Sequence, residues 1–182
     1  MSAAEDHWLA DAILQFRKYK KLAEGALAQV ADADFFRTID PESNSVALVV
    51  KHMAGNMRSR WTDFRTSDGE KPDRDRDEEF EVRDTDTRES LMAAWEAGWA
   101  LTFEAIAPLR SEDLLAEVRI RGQAHTVIQA VHRQLTHYAY HVGQIVLLAR
   151  HFAGPRWTSL SIPKGKSKEI EVARSGEPYR LS

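Results

Sequence analysis

The sequence predicts an all-α protein: a four-helix bundle with a long crossover loop and a small β-ribbon before the last helix. Four stretches carry apolar residues at the three-to-four spacing of amphipathic helices. A charge-rich run without periodicity separates the second from the third, and two short alternating segments meet at a glycine just before the fourth. A chain of 182 residues is long enough to bury a core of that kind.

The first helix is expected from about His7 to Ala31, on Leu9, Ile13, Phe16, Leu27 and Val30. Asp40-Pro41-Glu42-Ser43-Asn44 breaks the chain and supplies cap residues for a second helix over 45–65. From Thr66 to Asp86 the composition is that of a solvated connection, anchored at Phe80. Thr87 and Ser90 are cap residues for a third helix to Ala107, where Pro108 stops it. Leu114–Ile120 and Ala124–Val127 read as a ribbon turning at Gly122, and the fourth helix runs on to about Phe152, ended by Gly154-Pro155. Residues 1–155 thus form the bundle, and 156–182 form a tail that docks on it through Trp157, Leu160 and Ile162.

Composition narrows the function. A net charge of −3 offers no overall field for nucleic acid or anionic lipid. The longest apolar runs are too short to span a bilayer and no secretory signal pattern opens the chain, so the expected address is the cytoplasm. With no cysteine, a metal must be held by nitrogen and oxygen, and any thiol chemistry must import its thiol.

His137 and His141 lie one helical turn apart on the same face, so both imidazoles can reach one ion. Among seven histidines that spacing alone is weak. A third, His52, occupies a similar shoulder of the second helix, beside the packing arc of Val46, Val49, Val50, Met53, Met57, Trp61 and Phe64. His52, His137 and His141 are therefore the candidate ligands of a divalent metal with open positions, zinc or nickel first and iron or manganese next. Asn56, Ser59 and Asp63 continue the His52 stripe. They read either as the polar border of the helix or as the lining of a cavity beside the ion. Gln144, one turn past His141, is a candidate to orient an imidazole or a bound water. Gln144, Asp63 and Asn56 are accordingly the candidate catalytic residues. His132 and His151 fall off the arc and belong to the surface, while His7 and His125 stay unassigned.

Tyr138 stands where a metalloprotease of the His-Glu-x-x-His type carries its general base, and no nucleophile elbow, phosphate loop or dinucleotide fingerprint is present. The run Val50–Phe64, Asp68-Gly-Glu-Lys-Pro72, His137-x-x-x-His141-x-x-Gln144 and Leu160-Ser-Ile-Pro-Lys-Gly165 together resemble the DinB-like (YfiT-like) superfamily, and within it a small bacterial branch described only as a domain of unknown function. The resemblance implies an up-down-down-up bundle, a homodimer, and a divalent metal on His52, His137 and His141. It also implies an enzyme acting on a small-molecule substrate, by hydrolysis or by transfer of an external low-molecular-weight thiol. The competing expectations are a non-catalytic metal-binding bundle serving dimerisation, with Trp8, Trp61, Trp95, Trp99 and Trp157 as contacts, and a stress-linked small-molecule binder.

Overall fold

The structure, a computed structural model, describes residues 3–166 and residue 168. The chain is mostly helical, with one small antiparallel sheet. Helix α1 spans Ala3–Leu27, α2 Asp32–Phe35, α3 Val46–Trp61, α4 Arg88–Ile106 and α5 Val127–Ala153; strands β1 (Glu117–Ile120) and β2 (Gln123–Thr126) precede α5.

Of the helix starts, only α4 begins on the expected cap residues, Thr87 and Ser90; Ser45, expected as the first helical residue, is itself the cap of α3, and Thr126, expected in the ribbon, caps α5. Ser45 Oγ accepts from the Leu48 amide at 3.2 Å. Thr87 with Ser90, and Thr126 with Gln129, close reciprocal capping boxes. Helix α5 ends at Gly154, whose φ of 53° is left-handed backbone that glycine tolerates. Helix α1 ends four residues before the expected boundary. The Arg88 guanidinium donates to the carbonyls of Leu27 at 2.8 Å and Val30 at 2.7 Å, so α4 itself caps α1. The chain then turns through α2, which the sequence reading had not separated, and buries Phe35.

Helix α3 packs on α4 and on α5, and α1 packs on α5 and, more lightly, on α4. The α3–α4 approach requires Gly98, because a Cβ there would lie 3.0 Å from Met57 Cβ. At the centre Phe16, Trp99 and Tyr138 meet edge to face, with centroids 5.5–6.4 Å apart, and Trp61 Nε1 donates to the Tyr138 hydroxyl at 2.9 Å. Trp61, Trp95 and Trp99 are thus core residues, which corrects their assignment as dimer contacts; the expected homodimer cannot use them. Trp8 and Trp157 are partly buried against the same core.

The β1–β2 turn uses Arg121 (φ 56°) and Gly122 (φ 73°), the paired left-handed geometry that suits a two-residue hairpin. The long connection before α4 is strapped to this turn. Asp68 accepts from the backbone amides of Glu70 (2.7 Å), Arg121 (2.8 Å) and Gly122 (2.6 Å), and the Gly69 amide donates to the Arg119 carbonyl at 2.8 Å. The connection is therefore not the solvated loop its charges suggested. Its Arg74 side chain is 2 % exposed and its Glu79 side chain 8 %. Past α5, Leu160 packs against Gly25 while Ile162 stays exposed; the rest of the expected tail lies outside the described residues. Among the described residues no helix is long and apolar enough to cross a membrane.

Candidate metal centre

Three imidazoles converge where α3 meets α5. On α5 the core residues Tyr138, Val142 and Ile145 fix the helix rotation, and that rotation turns His137 and His141 toward α3. On α3, Met53 is buried in the core, and its neighbour His52 faces the α5 pair. His137 Nε2 lies 3.3 Å from His52 Nε2 and 3.0 Å from His141 Nε2. Two nitrogens bound to one ion at about 2.0–2.1 Å stand roughly 2.8–3.4 Å apart in octahedral or tetrahedral geometry. The spacing fits a shared cation, and these three histidines could hold one.

Hydrogen bonding on the far side of two of the rings, His52 and His141, argues for the same conclusion, while His137 Nδ1 is buried without a partner. His52 Nδ1–H donates to Glu79 Oε2 at 2.9 Å, and His141 Nδ1–H donates to Gln144 Oε1 at 2.7 Å. Those bonds put the single proton of each neutral ring on Nδ1, so both Nε2 atoms present lone pairs to the centre. His137 can supply one Nε2 proton for two acceptors. At least one of the two close N···N approaches then lacks a proton, whereas a cation satisfies all three lone pairs. This is the arrangement in which outer partners orient metal-binding imidazoles.

The electrostatics keep His137 and His141 uncharged. Burial, then the neighbouring His141 and His52, then the positive Arg74 and Arg60 push the His137 pKa from 6.5 down to about 3. Burial also lowers His141, partly opposed by its bond to Gln144. Burial acts to raise the Glu79 carboxyl, but hydrogen bonds from Arg74 and His52 outweigh it and hold the group below the usual carboxylate range. Arg74 grips Glu79 through two bonds, Nε to Oε1 at 2.7 Å and Nη2 to Oε2 at 2.8 Å. Phe80 stacks on His52 with centroids 4.7 Å apart, so the expected anchor of the loop seats directly on one of the three clustered rings.

A cleft of about 400 Å³ opens beside the histidines, with His52, Asn56, His137 and Tyr140 on its wall. Asn56 is buried there, as its place on the α3 stripe allowed. Gln144 bonds His141 and donates to the Tyr140 hydroxyl at 3.3 Å, which fits an orienting role. Asp63 is not brought to the site. It follows the last turn of α3, exposed, with φ 48°, and is absent from the cleft wall. Ser59 is buried but works on the loop, donating to the Gly69 carbonyl at 2.9 Å and accepting from the Lys71 amide at 3.0 Å. His7 is exposed, and His125 bonds the Gln123 carbonyl in the ribbon; neither joins the cluster.

The sequence reading missed Glu79 and Arg74, hidden in a charge run. The available signal was Phe80, an aromatic in a segment otherwise almost wholly polar. Gly55 is a second omission: a Cβ there would lie 2.3 Å from Glu79 Oε1, so only glycine on that turn of α3 admits the carboxylate.

Helices enclosing an aromatic core, with a trihistidine cluster backed by a buried carboxylate and an amide, define a helical protein whose three histidines could hold a metal ion. The chain belongs to the family described as "Protein of unknown function (DUF1572)", whose model matches residues 3–166. No curated protein and no solved structure matches the chain.

Proposed function

We propose that the protein is a metal-dependent enzyme of the DinB-like type that acts on a small molecule, by hydrolysis or by transfer of an external low-molecular-weight thiol. The observation that carries the reading is the convergence of three Nε2 atoms, two of them committed by their Nδ1–H bonds to offering lone pairs. The fold that accompanies it is an up-down-down-up four-helix bundle of α1, α3, α4 and α5, supported by the pairing of α3 with α4 and of α1 with α5.

Three neutral imidazoles leave a bound divalent ion its full charge and open positions, so a water or thiol placed there loses its proton more readily. Zinc and nickel are the favoured ions for an all-imidazole set, with iron or manganese next. The chain's own residues prepare the rest. Glu79 and Gln144 fix the His52 and His141 rings. The exposed Tyr140 lines the cleft and, because its oxygen accepts from Gln144, its hydroxyl proton is free to point toward a substrate. Tyr138 cannot share that task, since it is fully buried and bonded to Trp61.

Elemental analysis of the protein purified without a histidine tag tests the reading, together with a screen for hydrolysis and thiol transfer in metal-loaded and chelated samples. About one ion per chain and chelator-sensitive turnover are expected. A wild type that takes up no divalent ion removes the proposal.

A further inference from the structure

Four arginines, Arg60, Arg76, Arg121 and Arg133, stand on the wall of the cleft beside the histidines, and no aspartate or glutamate does. In a chain of net charge −3 this is a local inversion of sign. The nearby carboxylates do not cancel it. Glu70 is shared between Arg60 (3.0 Å), Arg121 (3.3 Å) and Arg74 (3.4 Å), while Glu79 is taken by Arg74 and His52. Among the described residues no carboxylate lies within ion-pair distance of Arg76 or Arg133. Counting Arg74 with the four wall arginines, five guanidiniums face three carboxylates, Glu70, Glu79 and Asp68, the last already bonded to the backbone amides of Glu70, Arg121 and Gly122.

Arg60 is the unusual member. It is 4 % exposed, yet its Nε and Nη1 have no hydrogen-bond partner and only Nη2 reaches Glu70. A buried guanidinium ordinarily has its charge paired and its donors used. The void beneath it, about 10 Å³ and bordered by Gly69 and Gln134, holds at most about one water, which cancels no charge. Positive surplus on one wall of a concave site, with arginine forks at hand, is the chemistry that receives a carboxylate or phosphate.

We propose that this cleft is the substrate subsite and that it recognises a compact oxyanion, a carboxylate or phosphate group, placing the remainder of the molecule against the trihistidine centre. As the recognition half of the reaction it rests on the metal reading; the anion binding itself does not.

Calorimetric titration with inorganic phosphate, acetate and neutral acetamide tests it, with metal content measured on the same samples. Wild type, Arg60→Gln, Arg133→Gln and His137→Ala are compared. Phosphate or acetate is expected to bind at millimolar concentration or below, acetamide not to bind, and the preferred anion to name the source. Arg60→Gln should weaken binding at least tenfold and the exposed Arg133→Gln about threefold, both with metal unchanged; Arg133→Gln decides if Arg60→Gln does not fold. His137→Ala should lose metal and keep anion binding. Anions that bind no better than acetamide overturn the subsite. So does affinity unchanged in Arg133→Gln and in a folded Arg60→Gln, or affinity that disappears with the metal. Anion binding by a wild type without metal would sink the metal reading and leave the subsite standing.

Discussion

Two clefts lie on either side of the Arg74–Glu79 pair, and they differ in a way that volume does not reveal. The larger, about 650 Å³, runs between α3, α4 and the long connection, over an apolar floor that includes Leu91, Ala94 and Leu101. Most of its charges cancel in place: Lys51 with Asp86 at 2.7 Å, Arg58 with Asp73 at 3.0 Å, and Arg83 with Glu78, while Asp75 accepts from the amides of Asp77 and Glu78. The smaller, about 400 Å³, carries His52, His137 and unbalanced arginines. Size points to the first cleft and unmet chemistry to the second. Paired charges and satisfied donors leave a surface nothing to do, whereas converged lone pairs and a surplus of guanidinium require something from outside.

The sharpest way to break this comparison is to exchange one residue on each side. His137→Ala removes one ligand from three and is expected to lower metal content from about one ion per chain to below a tenth, with far-UV dichroism unchanged. Arg58→Ala, an exposed residue of the larger cleft, should retain the full ion. Equal metal in both variants would falsify the assignment of the centre to the smaller cleft.

Glu79 lines the larger cleft and bonds His52 of the smaller one, and its substitution measures how the two are joined. Glu79→Gln keeps the size but weakens the acceptor for His52 Nδ1–H, and an outer partner of that kind is worth about 10–100-fold in metal affinity. Gly55→Ala reaches the same contact from the other side. In an ordinary helix interior that change gains about 1 kcal/mol. Here the new Cβ meets a carboxylate pinned by Arg74 and His52, which cannot swing away. Weaker metal binding by competition titration, despite the better helix former, is the expected outcome; tighter or equal binding would show that Glu79 is free to move.

The same residues explain what was legible in the sequence. The histidines could be read because a helix converts spacing into direction, and residues four apart share a face whatever the rest of the chain does. A helix start could be read where the cap is local and its residues stand out, as at Thr87 and Ser90. The end of α1 could not, since its cap arrives from Arg88, sixty-one residues beyond Leu27. Glu79 and Arg74 are opaque for a related reason. Their burial depends on Asp68 binding the ribbon turn and on Gly55 opening a gap, and neither contact leaves a periodic trace. Trp61, Trp95 and Trp99 misled in the other direction, because an aromatic residue reads alike whether it faces a core or a partner.

Gly98 separates stability from site chemistry. It sits on the α3–α4 face, away from the histidines, with Met57 Cβ and Cε at 3.0 and 3.1 Å from where a Cβ would go. Overpacking a tight helix contact costs about 1–3 kcal/mol. Gly98→Ala should therefore lower the midpoint of denaturant unfolding while metal content stays at the wild-type value. Loss of metal alongside stability would mean that α3 shifts as a body and that the two faces are coupled.

The smallest expected effect is a slope. In the folded protein His137 titrates at about 3, against 6.5 for an ordinary histidine. Between those values the unfolded chain takes up a proton that the folded one refuses, so stability is full above about pH 6.5 and is lost as pH falls toward 3. His141 acts in the same direction, and a bound ion competes with the same protons. Glu79 contributes too, but a depressed carboxyl acts only below its ordinary value of 4.5. The interval from pH 6.5 to 4.5 therefore isolates the histidines from this carboxylate. Unfolding midpoints of chelated protein should decline with falling pH across that interval, and His137→Gln should flatten the decline without removing the drop below 4.5. An identical slope in both proteins would mean that His137 accepts a proton as readily folded as unfolded, leaving no desolvated ring to present a lone pair.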